Sequence, residues 1–480
     1  MSLMRRLSDR PVVLLGAICC VYVGLQLAIL PNGMPLEWDE AVYTSQVAPG
    51  VPDAVFSAPR ARGITWLVAP VAYFTRDPAL IRGWMILLSG LGLFLAFLPW
   101  AFLLSRRVLL LSAALFGGLW VTLLYGAQVM PNLYVAFGAA ATAGCLLLVL
   151  RGGPARASLS LGGLGVSAAA VAALRPSDAL WLALPLAVAS LLRRRIRPVV
   201  VLSAGVAAGF APWIAESFVS FGGPLARWRA AGEVQGGLSL APGFLHEFKT
   251  ANGPLFCRPC TIPLENPQWA IWWLLLPLLA IGGIVVSRRA APATVAAITG
   301  FSVAVPYLVM VDYGAPRFLL PAYILLVIPA AECLLWLAGR ARVRYRWVPA
   351  VLVTGVLLAH TAVQADVLVD LAYQQDRQRG YNADVVRDMG KLGVRPPCTM
   401  VDQFVDPAMT FVSRCDTLNL SDHGKSLSAQ MAQAEPGRVF ALLTKGDPPP
   451  EVAGWERHVL RERDTEPLWV AYIFRKDDLR

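Results

Sequence analysis

The chain has 480 residues, of which 56 % are hydrophobic and only 15 % charged, and it carries a formal net charge of +11. That balance excludes an ordinary soluble globular domain and points to a polytopic membrane protein. The positive excess is not a nucleic-acid signature, because the basic clusters are short and lack interleaved aromatics.

Apolar stretches recur at residues 11–31, 80–104, 107–126, 131–150, 158–174, 179–192, 198–218, 269–287, 292–311, 317–338 and 347–363. A helix needs roughly 20 such residues to cross about 30 Å of hydrocarbon, so the expectation is about eleven transmembrane α-helices. The first stretch is too long for a signal peptide and lacks a small-residue cleavage site, so it reads as a retained helix.

Arginines set the orientation. With a cytoplasmic N-terminus, the inner segments hold Arg5, Arg6 and Arg10; Arg106 and Arg107; Arg151 and Arg156; Arg193, Arg194, Arg195 and Arg197; Arg288 and Arg289; and Arg340, Arg342, Arg344 and Arg346, against one acid, Asp9. This bias puts those segments inside and makes the net charge mainly a topology signal. The acids Glu37, Asp39, Glu40, Asp53, Asp77, Asp178, Glu216, Glu233, Glu247, Glu265 and Asp312 then all face outward.

The first outer loop, residues 32–79, opens with "PLEWDEAVYTSQ", which sets Glu37, Asp39 and Glu40 beside a span, and continues to Arg60 and Arg62. Its "GITWLVAPVAYF" is too short to cross and reads as a helix lying along the outer membrane surface. Other outer corners offer "YGAQVMPN" with Asn132, "LRPSDALW" with Arg175 and Asp178, and "DYGAPRFLLPAY" with Asp312 and Arg317. The long outer loop, residues 219–268, adds His246, Cys257 and Cys260.

Domain 1–363 is thus the membrane part, and 364–480 an extracytoplasmic α/β domain. The latter carries 18 of the 31 acidic residues, and "CTMVDQFV", "RVFALLT" and "LWVAYIFR" read as strands. "ADVVRDMGKL" and "SLSAQMAQA" read as helices. The four cysteines outside the spans form two local pairs, Cys257 with Cys260 and Cys398 with Cys415, in a compartment that permits disulfides. Reading "CRPC" as a metal site is weaker, since no second such pair accompanies it.

Charges at the ends of apolar helices are costly and mark either function or mutual pairing. Arginines facing one cavity suit a phosphate, which a guanidinium grips with two parallel hydrogen bonds. A carboxylate nearby supplies a base for an alcohol nucleophile. Together they fit transfer of a sugar from a lipid phosphate to a hydroxyl, because a phosphate leaving group needs charge stabilisation and no acid.

The Asp39-Glu40 pair directly after the first span resembles the signature of the C-type (GT-C) integral-membrane glycosyltransferases, in particular the protein mannosyltransferase and aminoarabinose transferase branch. "APRFLLPAY" is similar to their Arg-aromatic-Leu-Pro segment, and "LRPSDALW" stands where they carry a basic-Pro turn. The resemblance implies a polyprenyl-phosphate sugar donor and inversion, with Asp39 as catalytic base, Glu40 as its orienting or acceptor-binding partner and Arg317 on the donor phosphate. Arg175 would join Arg317 there. Where those enzymes carry His-Pro-Pro or Lys-Pro-Pro, this chain has "SAPRARG", so Arg60 or Arg62 would supply the basic group.

The same residues have plainer readings: Arg175 with Asp178 as an ion pair, His246 and Asp312 as loop surface, and Tyr43, one turn from Asp39, as packing. No obligatory metal is expected, although Asp39 and Glu40 could hold Mg²⁺ or Mn²⁺ through oxygen. The acceptor would be a cell-wall glycan, a glycolipid or a protein hydroxyl, and the site the outer face of a bacterial cytoplasmic membrane. The competing reading is a transporter or lipid flippase. It fits less well, because the charges gather at helix ends rather than at mid-span, and no half-repeat is visible.

Overall fold

The computed structural model describes residues 11–152, 154–237, 240–263, 267–287, 290–339, 347–402, 406–419, 427–452, 454–460 and 469–475. Arg5, Arg6, Asp9, Arg10, Glu265, Arg288, Arg289 and the arginines from 340 to 346 lie outside the described residues.

The helices are α1 (Pro11–Ile29), α2 (Trp38–Ser45), α3 (Gly63–Ala72), α4 (Pro78–Phe97), α5 (Arg106–Gly117), α6 (Trp120–Gly126), α7 (Pro131–Arg151), α8 (Pro154–Leu174) and α9 (Pro176–Leu192). They continue as α10 (Ile196–Ser220), α11 (Pro224–Val234), α12 (Gly243–Thr250), α13 (Ile271–Val286), α14 (Ala290–Val309), α15 (Leu320–Gly339), α16 (Val348–Lys391), α17 (Pro407–Ser413) and α18 (Leu427–Gln433). Proline opens α7, α9, α11 and α17, where its missing N–H is an orphan in any case.

Among the described residues, α1, α4, α7, α10, α13, α14, α15 and α16 are each long and apolar enough to cross a membrane. The pair α5 and α6, bent by 69°, adds a ninth if it is one broken span, and α8 and α9 are shorter apolar helices. Every apolar stretch expected from the sequence falls on one of these. At the break, the backbone N–H of Trp120 has no helical carbonyl to bond and donates instead to Gln364 Oε1 at 2.9 Å, while its indole donates to Ala251 O at 2.9 Å.

The chain divides into two compact units. The first comprises residues 1–30, 57–64 and 83–372. Within it α7 and α15 are the most buried of the long apolar helices among the described residues. The helix α10 approaches α8 through small residues: a Cβ on Gly205 would lie 2.4 Å from the carbonyl oxygen of Gly165, and one on Gly209 2.1 Å from that of Ala169. Such a small-xxx-small pattern lets helices meet backbone to backbone in lipid, where no hydrophobic effect draws them together.

The second unit comprises residues 31–56, 65–82 and 373–480, so most of the first loop folds with the tail. Its sheet contains β1 (Cys398–Asp402), β2 (Asp416–Asn419), β3 (Val439–Thr444), β4 (Glu456–Val459) and β5 (Val470–Arg475), in the order β2-β1-β3-β5-β4. The β1–β2 and β1–β3 pairs are parallel, and β5 runs antiparallel to both β3 and β4. Alternation divides the side chains of β3: Val439, Ala441 and Leu443 pack with Tyr381, Val385 and Met389 of α16, whereas Phe440 and Leu442 pack with Leu427 of α18. Helix α17 is capped by Asp406, which accepts from the Ala408 N–H at 2.8 Å, and it packs against α2.

Candidate functional site

In the second unit, α2 carries the acidic pair. Glu37 occupies its N-cap, and Glu40 reaches back to accept the Glu37 N–H at 3.0 Å, one arm of a capping box. The Glu40 carboxylate is fully buried and held by two guanidiniums. Arg82 donates to Oε1 at 3.2 Å and to Oε2 at 3.1 Å, and Arg379 donates to Oε2 at 2.9 Å. Arg82 also bonds the carbonyls of Met34 at 2.6 Å and Pro35 at 2.8 Å, fixing the chain just before the helix. Burial alone would raise the pKa of Glu40; Arg82 and then Arg379 outweigh it and hold the group below the ordinary carboxylate value.

Asp39 stands beside it, half-buried in the first turn of α2, where the helix dipole favours a negative charge. Successive helical side chains diverge by about 100°, so the two carboxylates point in different directions from α2. Tyr43, one turn on, is buried with its ring edge-on to Phe56, centroids 5.9 Å apart. Asp39, Glu40 and Tyr43 are thus brought together on one short helix, with one carboxylate neutralised and the other half-exposed.

The arginines of the first unit fall into two groups. Arg62 bonds Glu216 through Nε at 2.8 Å, and Arg60 Nη1 donates to Ser57 Oγ at 2.7 Å. Both lie on a segment stapled by the buried Arg227, which donates to the carbonyls of Ala58 at 3.1 Å, Arg60 at 3.0 Å and Trp213 at 2.9 Å, and to Glu216 Oε2 at 2.9 Å. The Arg227 guanidinium also lies 4.5 Å from the ring centroids of both Trp213 and Phe221.

In the second group, Arg175 Nε is 3.3 Å from Asp178 Oδ2, and Tyr307 Oη donates to Asp178 Oδ1 at 2.5 Å. The guanidiniums of Arg175 and Arg317 both meet the Phe318 ring, at 5.4 and 5.3 Å. Arg317 Nη1 donates to Tyr125 Oη at 3.5 Å and to Leu255 O at 3.4 Å. Glu247, buried, accepts the Ala315 N–H on Oε1 at 3.1 Å. Its burial pushes its pKa well above the ordinary value, with the Ala315 N–H and Arg317 pulling the other way.

His246 Nδ1 is 3.9 Å from Asp312 Oδ1, and Asp312 is exposed. Asn132 is buried at the start of α7, and its Nδ2 finds no hydrogen-bond partner among the described residues. Cys257 is bonded to Cys260 and Cys398 to Cys415. Among the described residues no group of three or more His, Cys, Asp or Glu could hold a metal ion.

Arg82, Arg379 and Arg227 are absent from the sequence-predicted set. Arg82 had a signal: a guanidinium in the first turns of an apolar helix, "PALIRGWMILL", calls for a buried partner. Arg379 had none, since it sits in the polar run "QQDRQRGY" and its partner Glu40 is 339 positions away.

No protein-family model matches the chain, and no curated protein is significantly similar to it. Among solved structures, ArnT from Cupriavidus metallidurans bound to undecaprenyl phosphate aligns at a TM-score of 0.65 and 13 % identity, over 96 % of this chain and 97 % of its own. The arabinofuranosyltransferase AftD from Mycobacteria aligns at 0.51 and 14 % identity, over 95 % of this chain and 39 % of its own. The Archaeoglobus fulgidus oligosaccharyltransferase aligns at 0.50 and 12 % identity, over 86 % and 65 %. The fold is that of the C-type integral-membrane glycosyltransferases. At these identities the likeness is one of fold. The GT-C scaffold here joins a helical membrane part to a small sheet domain at the C-terminal end, and it runs the whole length of ArnT.

Proposed function

We propose that the chain is a glycosyltransferase that moves a sugar from a polyprenyl-phosphate donor to a hydroxyl acceptor at the outer face of a bacterial cytoplasmic membrane. The observation that carries this reading is the asymmetry of the acidic pair on a GT-C fold: Glu40 is neutralised by Arg82 and Arg379, while Asp39 stays half-exposed beside it. Asp39 would take the acceptor proton as the acceptor oxygen bonds the anomeric carbon. The bond from that carbon to the phosphate oxygen breaks on the opposite face, inverting the centre, and the polyprenyl phosphate leaves with its charge.

Of the proposed phosphate-binding arginines, Arg62 and Arg175 are each held by a carboxylate, which lowers the net charge they offer an anion. Arg317, which donates to a phenol oxygen and a carbonyl and lies on the segment similar to the family's Arg-aromatic-Leu-Pro motif, is the first choice for the donor phosphate. Arg60, which donates to Ser57 Oγ, is a further candidate. The step as drawn uses no metal. Both Glu40 oxygens already accept donors, so a Mg²⁺ or Mn²⁺ shared between Asp39 and Glu40 would have to displace an arginine.

The test is release of labelled sugar from polyprenyl-phosphate mannose and polyprenyl-phosphate arabinose by wild type and Asp39→Asn, with membrane extract as acceptor source. The expected loss is about 10²–10⁴-fold in rate with the fold intact, the span of general-base effects. Equal rates in the two proteins would remove Asp39 as the base. Turnover of neither donor would favour another sugar or the transporter reading.

A further inference from the structure

The clamp on Glu40 is asymmetric in origin. One jaw, Arg82, comes from the helix that directly follows the first loop. The other, Arg379, comes from the stretch of α16 that packs against the tail sheet, within the same compact unit. Both guanidiniums are buried, 2 and 6 % exposed, around a carboxylate that is 0 % exposed.

Arg379 is itself aimed. Its Nε and Nη2 donate to Gln375 Oε1 at 3.2 and 3.0 Å, one helical turn back, which turns Nη1 toward α2. From there Nη1 reaches Glu40 Oε2 at 2.9 Å and Pro35 O at 3.4 Å, and Nη2 lies 3.5 Å from Glu37 Oε2. The guanidinium therefore touches the chain before the helix, its N-cap and its third residue, which bracket Asp39. The charges balance: two arginines face two glutamates. A pair this deeply buried exacts a desolvation cost that contact with a surface loop would not require. What it secures is a fixed geometry for four consecutive residues.

We infer that Arg379 is a positioning residue through which the tail holds α2, and with it Asp39, in working geometry; the catalytic part of this inference rests on the reading of Asp39 as base. The tail is then a working part of the site. Removing the jaw leaves Glu40 paired with Arg82 alone and is expected to free the N-terminal turn of α2. A displacement of about 1 Å of a reacting group can cost about a hundredfold in rate.

The test uses the full-length protein in detergent or nanodiscs, with Arg379→Gln, Arg379→Lys and, as a control, Arg387→Gln, an exposed arginine of the same helix paired with Asp384. Amide hydrogen exchange across residues 37–45 is the first readout and needs no substrate. It is expected to quicken about tenfold or more in Arg379→Gln, to recover partly in Arg379→Lys and to stay unchanged in Arg387→Gln, as local opening energies predict. Unchanged exchange in Arg379→Gln overturns the inference whatever the activity.

The second readout is turnover of the labelled polyprenyl-phosphate sugars beside Asp39→Asn. For Arg379→Gln kcat is expected to fall about 10- to 100-fold with the donor KM little changed, the mark of a misplaced reacting group rather than a lost binding contact. A raised donor KM at unchanged kcat overturns the positioning role. Full activity in Asp39→Asn would instead sink the base assignment, while the exchange readout still decides whether Arg379 holds the helix.

Discussion

Glu40 and Glu247 are both buried carboxyl groups, and their surroundings drive them in opposite directions. Glu40 meets two guanidiniums and a backbone N–H and stays ionised. Truncating one partner of such a pair generally costs about 3–5 kcal/mol, because the other charge is left buried. Glu247 has one backbone N–H on Oε1, while Oε2 is buried without a partner among the described residues, so burial dominates and its pKa lies well above the ordinary 4.5. A carboxyl whose pKa is raised on folding binds its proton more tightly in the native state. Its cost to stability is absent below about pH 4.5 and grows as the pH rises toward the native pKa. Glu247→Gln keeps the acceptor for the Ala315 N–H and removes the charge. Its unfolding temperature is expected to match wild type near pH 4 and to exceed it increasingly toward pH 8; a pH-independent difference would assign the effect to packing instead. An acidic pair directly after a span is a positional signal, and it singles out Asp39 and Glu40 as candidates. Glu247 was visible as an outer-loop acid, but its burial depends on residue 315, which no local pattern announces.

At the scale of elements, the segment bearing Arg317 is held by the long loop before it. Cys257 and Gly314 exchange both backbone hydrogen bonds, at 3.0 and 3.2 Å, and the disulfide to Cys260 closes the turn on the other side. Gly314 allows this approach because it has no Cβ: one added there would lie 2.5 Å from the His246 carbonyl oxygen and 2.7 Å from its carbon. Backbone atoms cannot step aside as a flexible side chain can. Gly314→Ala is therefore expected to cost about 1–3 kcal/mol, as overpacking does, and to raise the donor KM if Arg317 holds the phosphate. Thermal unfolding and a donor titration check the two parts separately, and an unaltered unfolding temperature would show that the loop relaxes. The apolar spans were legible because their signal is length and composition, which lipid imposes directly. Three of the five strands were legible as apolar runs. The other two, "DTLN" and "ERHV", are short and polar, and pairing with β1 and β5 rather than their own pattern makes them strands.

For the whole molecule, the arginine bias and the number of crossings together make a testable proposal about orientation. Arg106 and Arg107, Arg151, and Arg193 to Arg197 each follow an even-numbered apolar stretch and precede an odd-numbered one, which is where a cytoplasmic N-terminus puts inner segments. Among the described residues, the eight long helices, the bent α5–α6 pair taken as one span, and the shorter α8 and α9 would give eleven crossings, an odd number, so that a cytoplasmic start would lead to an external tail. The acidic charge of the tail does not weaken this, because long domains translocate largely regardless of their charge. Its paired Cys398 and Cys415 join β1 to the start of β2, a linkage suited to an oxidising compartment. Reporter fusions test the sum. Alkaline phosphatase fused after Arg480 is expected to be active and green fluorescent protein dark there, and the reverse for fusions after Arg194. If only one of α8 and α9 crossed, Arg194 and every later element would change sides, so the Arg194 fusion would become active as phosphatase and the C-terminal fusion fluorescent. Fluorescence at the C-terminal position, whatever the Arg194 fusion shows, would overturn the external tail and, with it, the outer-face site.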